Sequence, residues 1–342
     1  MLETMKAVGL YRYLPIEHPE SLLDVELNKP VAAGRDLLVR VKAVAVNPVD
    51  YKVRSPKEKV EEDPKILGWD VAGIVEEVGT DCTLFQPGDE VYYAGDITRQ
   101  GGNSEFQLVD ERIVGKKPKS LDFAQAAALP LTTITAYEAL FDRMNISRNP
   151  DENKNKTILI IGAAGGVGSI AIQLAKRVGL TVIGTASRPE SIAWAKEHGA
   201  DHTINHFEEF VPQLKQVGFE TVHYILCLNT TEKHWENMSK SIAPQGKICS
   251  IVETDVPLNI TLLKNKSATF VWEVMFTRSM FQTEDMIEQH RLLNEVADLI
   301  DSQVIKTTLN KRLTPINAEN LRKAHSLLEK GTTIGKIVLE HF

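Results

Sequence analysis

Cysteine is scarce in this chain, three residues in 342. Cys82, Cys227 and Cys249 are too few and too scattered for a disulfide framework or a cysteine-rich zinc lobe. Cys227 and Cys249 fall inside the apolar runs VHYILCLN and GKICSIV, where a cysteine acts as a small buried hydrophobe. A basic excess is missing too. Lysine and arginine number 39 against 46 aspartates and glutamates, a net charge of -7, which argues against nucleic acid as the main partner. The densest basic run, Lys116, Lys117 and Lys119, reads as a solvated loop. No uncharged apolar segment approaches the roughly 18 residues of a membrane span. The opening MLETMKAVGLYRY lacks the apolar core of an export signal. The expectation is a soluble, cytoplasmic protein with no membrane partner. No internal repeat or low-complexity tract occurs.

The chain has ample material for a folded interior: 43% of its residues are hydrophobic and 25% charged. Its length suits two domains. The first part is β-rich. MKAVGLYRY (5–13) and DLLVRVKAVAVN (36–47) alternate, the latter with Leu38, Arg40 and Lys42 on one side and Val39, Val41 and Ala43 on the other. Further strands are expected at 71–79, 88–95 and 104–111, separated by Gly, Pro and Asp. A long helix over 131–144 and a polar stretch over 146–156 follow.

From Thr157 the texture changes. TILII, TVIGTA, TVHYILCL and GKICSIV are apolar, β-branched runs, and helical segments lie between them at 189–199 and 208–218. Strand, helix, strand at this spacing signals a parallel sheet covered on both faces. A closing segment of mixed character offers a strand over 307–316, a helix over 318–330 and a strand over 335–342.

The first of the apolar strands runs directly into GAAGGVGSIAIQLAK (162–176). Val167, Ile170, Ala171, Leu174, Ala175 and Val178 then share one helical face. Glycine lets the backbone turn sharply and approach a pyrophosphate, which meets free N–H groups at the helix N-terminus. Ala163 stands where the fingerprint has its first glycine, and a side chain that small fits. A structural turn in a flavodoxin-like sheet is the competing reading. At the tip of the second strand, where NAD sites carry an acid, stand Ser187 and Arg188. A hydroxyl and a guanidinium suit a 2′-phosphate, so NADP(H) is the expected cofactor. The bland alternative is an Arg188 that only opens a helix.

Taken together, AVAVNPVDYKVRS (43–55), ILGWDVAGIVEEVG (66–79), FQPGDEVYY (85–93), AAALPLTTITAYEAL (126–140), GAAGGVGSIAIQLAK, HGADHTIN (198–205) and GKIVL (335–339) cover the chain from end to end. This set resembles the medium-chain dehydrogenase/reductase superfamily, in its quinone-oxidoreductase branch of zinc-type alcohol dehydrogenase-like proteins. The resemblance implies a Rossmann doubly wound parallel sheet inserted in a β-rich GroES-like catalytic domain. It assigns 1–128 to the catalytic domain, 129–300 to the Rossmann domain and 301–342 to the returning segment.

Residue by residue, the resemblance places Asn47 and Thr135 at the nicotinamide end, and Ala164, Gly165, Gly166 and Val167 around the pyrophosphate. It sets Ser187 and Arg188 on the 2′-phosphate and His206 near the adenosine, where relatives often carry tyrosine. Leu228, Asn229, Ile251 and Val252 border the cofactor, and Lys336, in the closing Gly-Lys, is a further cofactor-binding candidate. Asn47 and Tyr51 are the catalytic candidates, with Tyr51 or water as the proton donor. Each has a plain alternative: Asn47 and Asp50 as turn formers beside Pro48, Tyr51 as packing, Lys336 as a surface charge.

Zinc-dependent members of the superfamily carry a cysteine near position 47 and Gly-His-Glu where this chain has Gly68-Trp69-Asp70. Tryptophan cannot ligate a metal, and zinc needs about three protein ligands besides water. His198, His202 and His206 are spaced four apart, but Gly199 interrupts that helix. Zinc is therefore not expected.

The function so implied is an NADPH-dependent reductase passing hydride to a quinone or an α,β-unsaturated carbonyl. The rivals are a zinc-type alcohol dehydrogenase and an NADPH-binding regulatory protein with little turnover. The apolar run SATFVWEVMF (267–276) corresponds to a strand that pairs across a two-fold axis in the family, which implies a homodimer.

Overall fold

The computed structural model describes residues 3–342 and parts them into two compact units, 3–131 with 276–342, and 132–275. In the first unit β1 (Thr4–Tyr13) is followed by β2 (Leu23–Asn28), β3 (Asp36–Ala45), the short helix α1 (Pro48–Arg54) and β4 (Lys57–Ile66). Then come β5 (Val71–Val78), β6 (Glu90–Tyr93), β7 (Phe106–Asp110), β8 (Val114–Lys116) and the helix α2 (Phe123–Ala127). Strand β1 pairs antiparallel with β2 and β4. Strand β3 pairs antiparallel with β5 and β7, so it lies inside its sheet. That position explains why its alternation is imperfect: Leu37, Leu38 and Val39 are all buried, and among these outward candidates only Arg40 is exposed.

The second unit holds most of α3 (Pro130–Tyr137), which continues as a π-helical turn over Glu138–Arg143. The single long helix expected over 131–144 is thus two segments. Next come β9 (Thr157–Ile161), α4 (Gly166–Arg177), β10 (Thr181–Thr185), α5 (Pro189–Glu197), β11 (His202–Ile204) and α6 (Phe210–Gln216). The series closes with β12 (Val222–Cys227), α7 (Thr231–Ser241), β13 (Ile242–Ser250) and β14 (Thr269–Trp272). The six strands form one parallel sheet in the order β11-β10-β9-β12-β13-β14. The order reverses between β9 and β12, as in a doubly wound dinucleotide fold. Leu159, Ile161, Ile183, Ile225, Cys227 and Ile248 pack with Phe210, Leu214, Trp235 and Met238 from α6 and α7 in one core. Burial lifts the Cys227 thiol to about 11, as suits a packing residue.

The chain then returns to the first unit through α8 (Thr277–Met280), α9 (Glu288–Asp301), β15 (Leu309–Leu313), α10 (Ala318–Glu329) and β16 (Lys336–Glu340). The return begins at Phe276, earlier than the expected 301. Helix α9 buries Leu292, Leu293, Val296 and Ile300, and its Leu293 carbonyl accepts from the buried Tyr92 hydroxyl at 2.6 Å. Those contacts belong to the first unit's core. Strand β16 pairs parallel with β15 and antiparallel with β3.

Candidate functional site

In the second unit the expected cofactor residues other than Thr135 lie at the carboxyl ends of the parallel strands, the place where open α/β sheets bind ligands. Gly162 follows β9 directly at φ +87°, a conformation open to glycine. Ala164, Gly165, Gly166 and Val167 form the turn into α4, whose first N–H groups have no acceptor within the helix. A Cβ on Gly168 would meet Gly162 O at 2.5 Å and Ala163 O at 2.6 Å, so this glycine lets helix and strand approach closely. A Cβ on Gly165 would meet only Gly162 O, at 3.5 Å. The turn is therefore closed beneath and open above, which fits a pyrophosphate lying over the helix N-terminus.

Ser187 and Arg188 follow β10, both half-buried, with Arg188 at the N-cap of α5. The guanidinium forms an ion pair of 3.1 Å with Glu190, an acid in the first turn of that helix. His206 follows β11; its ring lies 4.3 Å from Phe207 and 6.4 Å from His234, and burial lowers its pKa. Its buried Nδ1 makes no hydrogen bond to a described residue. Leu228 and Asn229 follow β12, where the Leu228 N–H donates to Ile161 O at 3.1 Å. Ile251 and Val252 follow β13; the Ile251 N–H donates to Cys227 O at 3.2 Å, and Val252 O accepts from Thr231 Oγ1. Thr135 is buried on α3.

The first unit brings Asn47 and Lys336 together, 289 positions apart in the chain. Three chain segments converge here: Ala45 N–H donates to Asp70 O at 3.0 Å, and Val46 N–H to Ile337 O at 3.1 Å. Asn47 caps α1, and its N–H donates to Asp50 Oδ2 at 2.6 Å. Gly68 N–H reaches Asp50 Oδ1 at 3.1 Å. Asn47 Nδ2 donates to Asp70 Oδ2 at 2.8 Å, and Leu131 N–H to Asp70 Oδ1 at 2.7 Å. The Lys336 ammonium donates to Asn47 Oδ1 and, at 2.8 Å, to Asp70 Oδ2.

All four side chains are buried. Burial lifts Asp50 to about 7, opposed by the Asn47 N–H and the Lys336 charge. Burial raises Asp70 as well, against the pull of Lys336. Asp50 and Asp70 were not among the expected site residues; the pattern Asn-x-x-Asp around Pro48, a capping box, was the available signal. Lys336 is a buried cation, not a surface charge. Tyr51, next on α1, is half-buried, and its hydroxyl bonds to no described residue.

Trp69 is fully buried, donates from Nε1 to Asp96 O at 3.3 Å and meets Phe276 edge-on at 6.2 Å. Its indole has no lone pair for a metal; Asn47 Oδ1 and Asp70 Oδ2 already accept from an ammonium, and Asp70 Oδ1 from the Leu131 N–H. This donor set does not fit zinc. His198 ends α5 while His202 begins β11, so the three spaced histidines share no helical face. No group of three or more metal-ligating side chains is found among the described residues.

Two family models match the chain: the alcohol dehydrogenase GroES-like domain over residues 33–119 and zinc-binding dehydrogenase over 166–294. A zinc-type alcohol dehydrogenase-like protein of Staphylococcus aureus is 44% identical over 335 residues, covering 98% of this chain and 99% of that one. The chain belongs to the medium-chain dehydrogenase/reductase superfamily, in its quinone-oxidoreductase branch. It is an oxidoreductase of that family. Another relative, the 2-methylene-furan-3-one reductase of Solanum lycopersicum, is 41% identical over 314 residues, with 89% of this chain and 71% of that one covered. A crystal structure from Rhizobium etli, described as a zinc-dependent alcohol dehydrogenase protein, superposes with a TM-score of 0.95 at 51% identity, covering 100% and 99% of the two chains. The Escherichia coli quinone oxidoreductase complexed with NADPH has a TM-score of 0.79 at 26% identity, covering 98% and 99%. Both of these solved structures match the fold of this chain over nearly its whole length. No helix among the described residues is long and apolar enough to cross a membrane.

Proposed function

We propose that the protein is an NADPH-dependent, zinc-independent reductase acting on quinones or α,β-unsaturated carbonyls. The observation that carries the reading is the occupancy of the Asn47–Asp70 cluster by the Lys336 ammonium beside a buried Trp69. Alcohol oxidation assisted by a metal needs a Lewis acid to lower the alcohol's pKa, and this donor set fits none. A conjugated acceptor is already electrophilic and needs no such help. The quinone oxidoreductase and enone reductase relatives support the same chemistry.

When bound, NADPH supplies the hydride; the chain supplies orientation and exclusion of water. The turn at Ala164–Val167 and the N-terminus of α4 hold the pyrophosphate, and Ser187 and Arg188 hold the 2′-phosphate. Leu228, Asn229, Ile251 and Val252 border the cofactor from their strand ends, His206 lies at its adenosine end, and Thr135 serves the nicotinamide end; in the first unit, Asn47 is a catalytic candidate. Tyr51, with its hydroxyl uncommitted, donates the proton that completes reduction. The substrate is a small molecule, and no nucleic-acid or membrane partner enters the reading. The three free thiols suit the cytoplasm, where we place the enzyme.

The test is NADPH oxidation with a panel of ortho- and para-quinones and enones, set against ethanol with NADP⁺. Catalytic turnover of at least one conjugated acceptor, with ethanol inert, is expected. Turnover of alcohols with every quinone and enone inert would overturn the reading.

A further inference from the structure

We propose that Lys336 is a positioning residue of this reductase, the built-in cation that holds Asn47 in one orientation at the start of α1. The inference rests on the reductase reading and gives Lys336 a role other than the cofactor binding expected from the sequence. The residue is 3% exposed, and its ammonium is bonded to two side chains, at Asn47 Oδ1 and Asp70 Oδ2.

The charges explain why a lysine is needed. Asp50 and Asp70 are both fully buried, and among the groups acting on Asp50 the cation is Lys336 and the other acid is Asp70. A buried carboxylate without a partner is costly, and a compact ammonium with several donors can serve an amide and a carboxylate at once. A bound metal would neutralise the same oxygens, but it would have to displace the ammonium first.

The hydrogen bonds explain why Asn47 is the element positioned. An asparagine amide can flip, exchanging its oxygen and its NH₂ group. Here a cation faces Oδ1, while Asp70 Oδ2 and the Trp69 carbonyl, at 2.8 and 3.4 Å, face Nδ2. A flip would aim NH₂ at the ammonium and oxygen at a carboxylate. One orientation therefore survives. The Asn47 backbone is tied as well, through its N–H to Asp50, so cap and side chain are fixed together. The pairing of β16 with β3, with Val338 opposite Ala45, sets Lys336 within reach from the far end of the chain.

The experiment compares wild type, Lys336→Met and the double variant Asp70→Asn/Lys336→Met. Each is assayed for thermal midpoint, NADPH dissociation constant by cofactor fluorescence, and kcat with a quinone or enone. Lys336→Met is expected to melt lower, to bind NADPH within about threefold of wild type and to lose at least tenfold in kcat. The double variant removes both charges of the buried pair, so it should regain the melting temperature but not kcat. This double variant also serves if Lys336→Met does not fold. Loss of NADPH affinity in proportion to kcat would make Lys336 a cofactor ligand and overturn the proposal. Recovery of kcat along with the midpoint would reduce its role to neutralising Asp70 and would overturn the proposal equally. A wild type that binds NADPH but reduces no acceptor would overturn the reductase reading, and this inference with it. An active wild type whose kcat survives in Lys336→Met would overturn this inference alone.

Discussion

Arg143 donates from Nε to Oε2 of Glu273 at 2.7 Å, and its Nη2 lies 3.5 Å from Glu138, so one guanidinium serves two buried carboxyls. Burial and the neighbouring Glu138 raise the Glu273 pKa well above its ordinary value of 4.5. A carboxyl raised in the folded state favours folding below its unfolded pKa, and that contribution fades as pH rises through the folded value. Thermal midpoints measured from pH 5 to 9 should therefore fall more for wild type than for Glu273→Gln. Parallel curves would mean that Glu273 is already ionised throughout.

Asp50 gives a second titration of the same sign, between its ordinary 3.8 and about 7. Over that window the protonated acid suits the folded state better than the carboxylate does. The stability of Asp50→Asn relative to wild type should rise with pH and level off above about 7. By linkage the change amounts to about 4 kcal/mol. Denaturant midpoints at pH 4, 6 and 8 measure it, and a constant difference would refute it.

Arg188 should decide cofactor choice. Removing a charge-assisted hydrogen bond costs about 1.5–3 kcal/mol, so Arg188→Ala should weaken NADPH roughly 10- to 100-fold and leave NADH nearly unchanged. Glu190 competes for the same guanidinium, and Glu190→Gln should tighten NADPH binding. Equal wild-type affinity for the two cofactors would end the assignment.

Gly168→Ala should be poorly tolerated, because the added methyl meets backbone oxygens at 2.5 and 2.6 Å and neither can swing aside. A loss of about 1–3 kcal/mol is expected for such overpacking. Chemical denaturation would show it, and NADPH titration should show weaker binding as the turn is displaced.

Strand β14 is the last strand of its sheet, and Trp272 at its end and Val274 just beyond are 45% and 51% exposed. An apolar edge of this kind invites pairing with another strand. We therefore expect a homodimer joined along this edge. Light scattering at micromolar concentration should report twice the chain mass; a monomer would count against the family's arrangement here.

The parallel sheet was readable in the sequence because strands buried on both faces are unbroken apolar runs. TILII is β9 over its whole length, Thr157–Ile161. Strand β4 was not readable: KEKVEEDPKI is crowded with charge and contains a proline, since most of its side chains face solvent. Helix α1 has seven residues, fewer than two full turns, and its Pro48 and Asp50 looked like a turn. At the site, Asn47 and Lys336 were nameable one by one. Their bond was not, because only the pairing of β16 with β3 brings them together. The Glu138–Glu273 pair left no sequence signal, as nothing in either segment marks a carboxyl for burial.

The seam between β3 and β16 also sets an order of events on the ribosome. Residues 132–275 form a contiguous unit, so the nascent chain can complete it while translation continues. The first unit cannot finish then. Its strand β3 must wait for a partner made about three hundred residues later, and Asn47, Asp50 and Asp70 must wait for their ammonium. Until β16 emerges, an apolar strand edge and two uncompensated acids stay open to water and to chaperones. Closure of the GroES-like unit and completion of the charge cluster thus become one late step, taken when Lys336 leaves the exit tunnel.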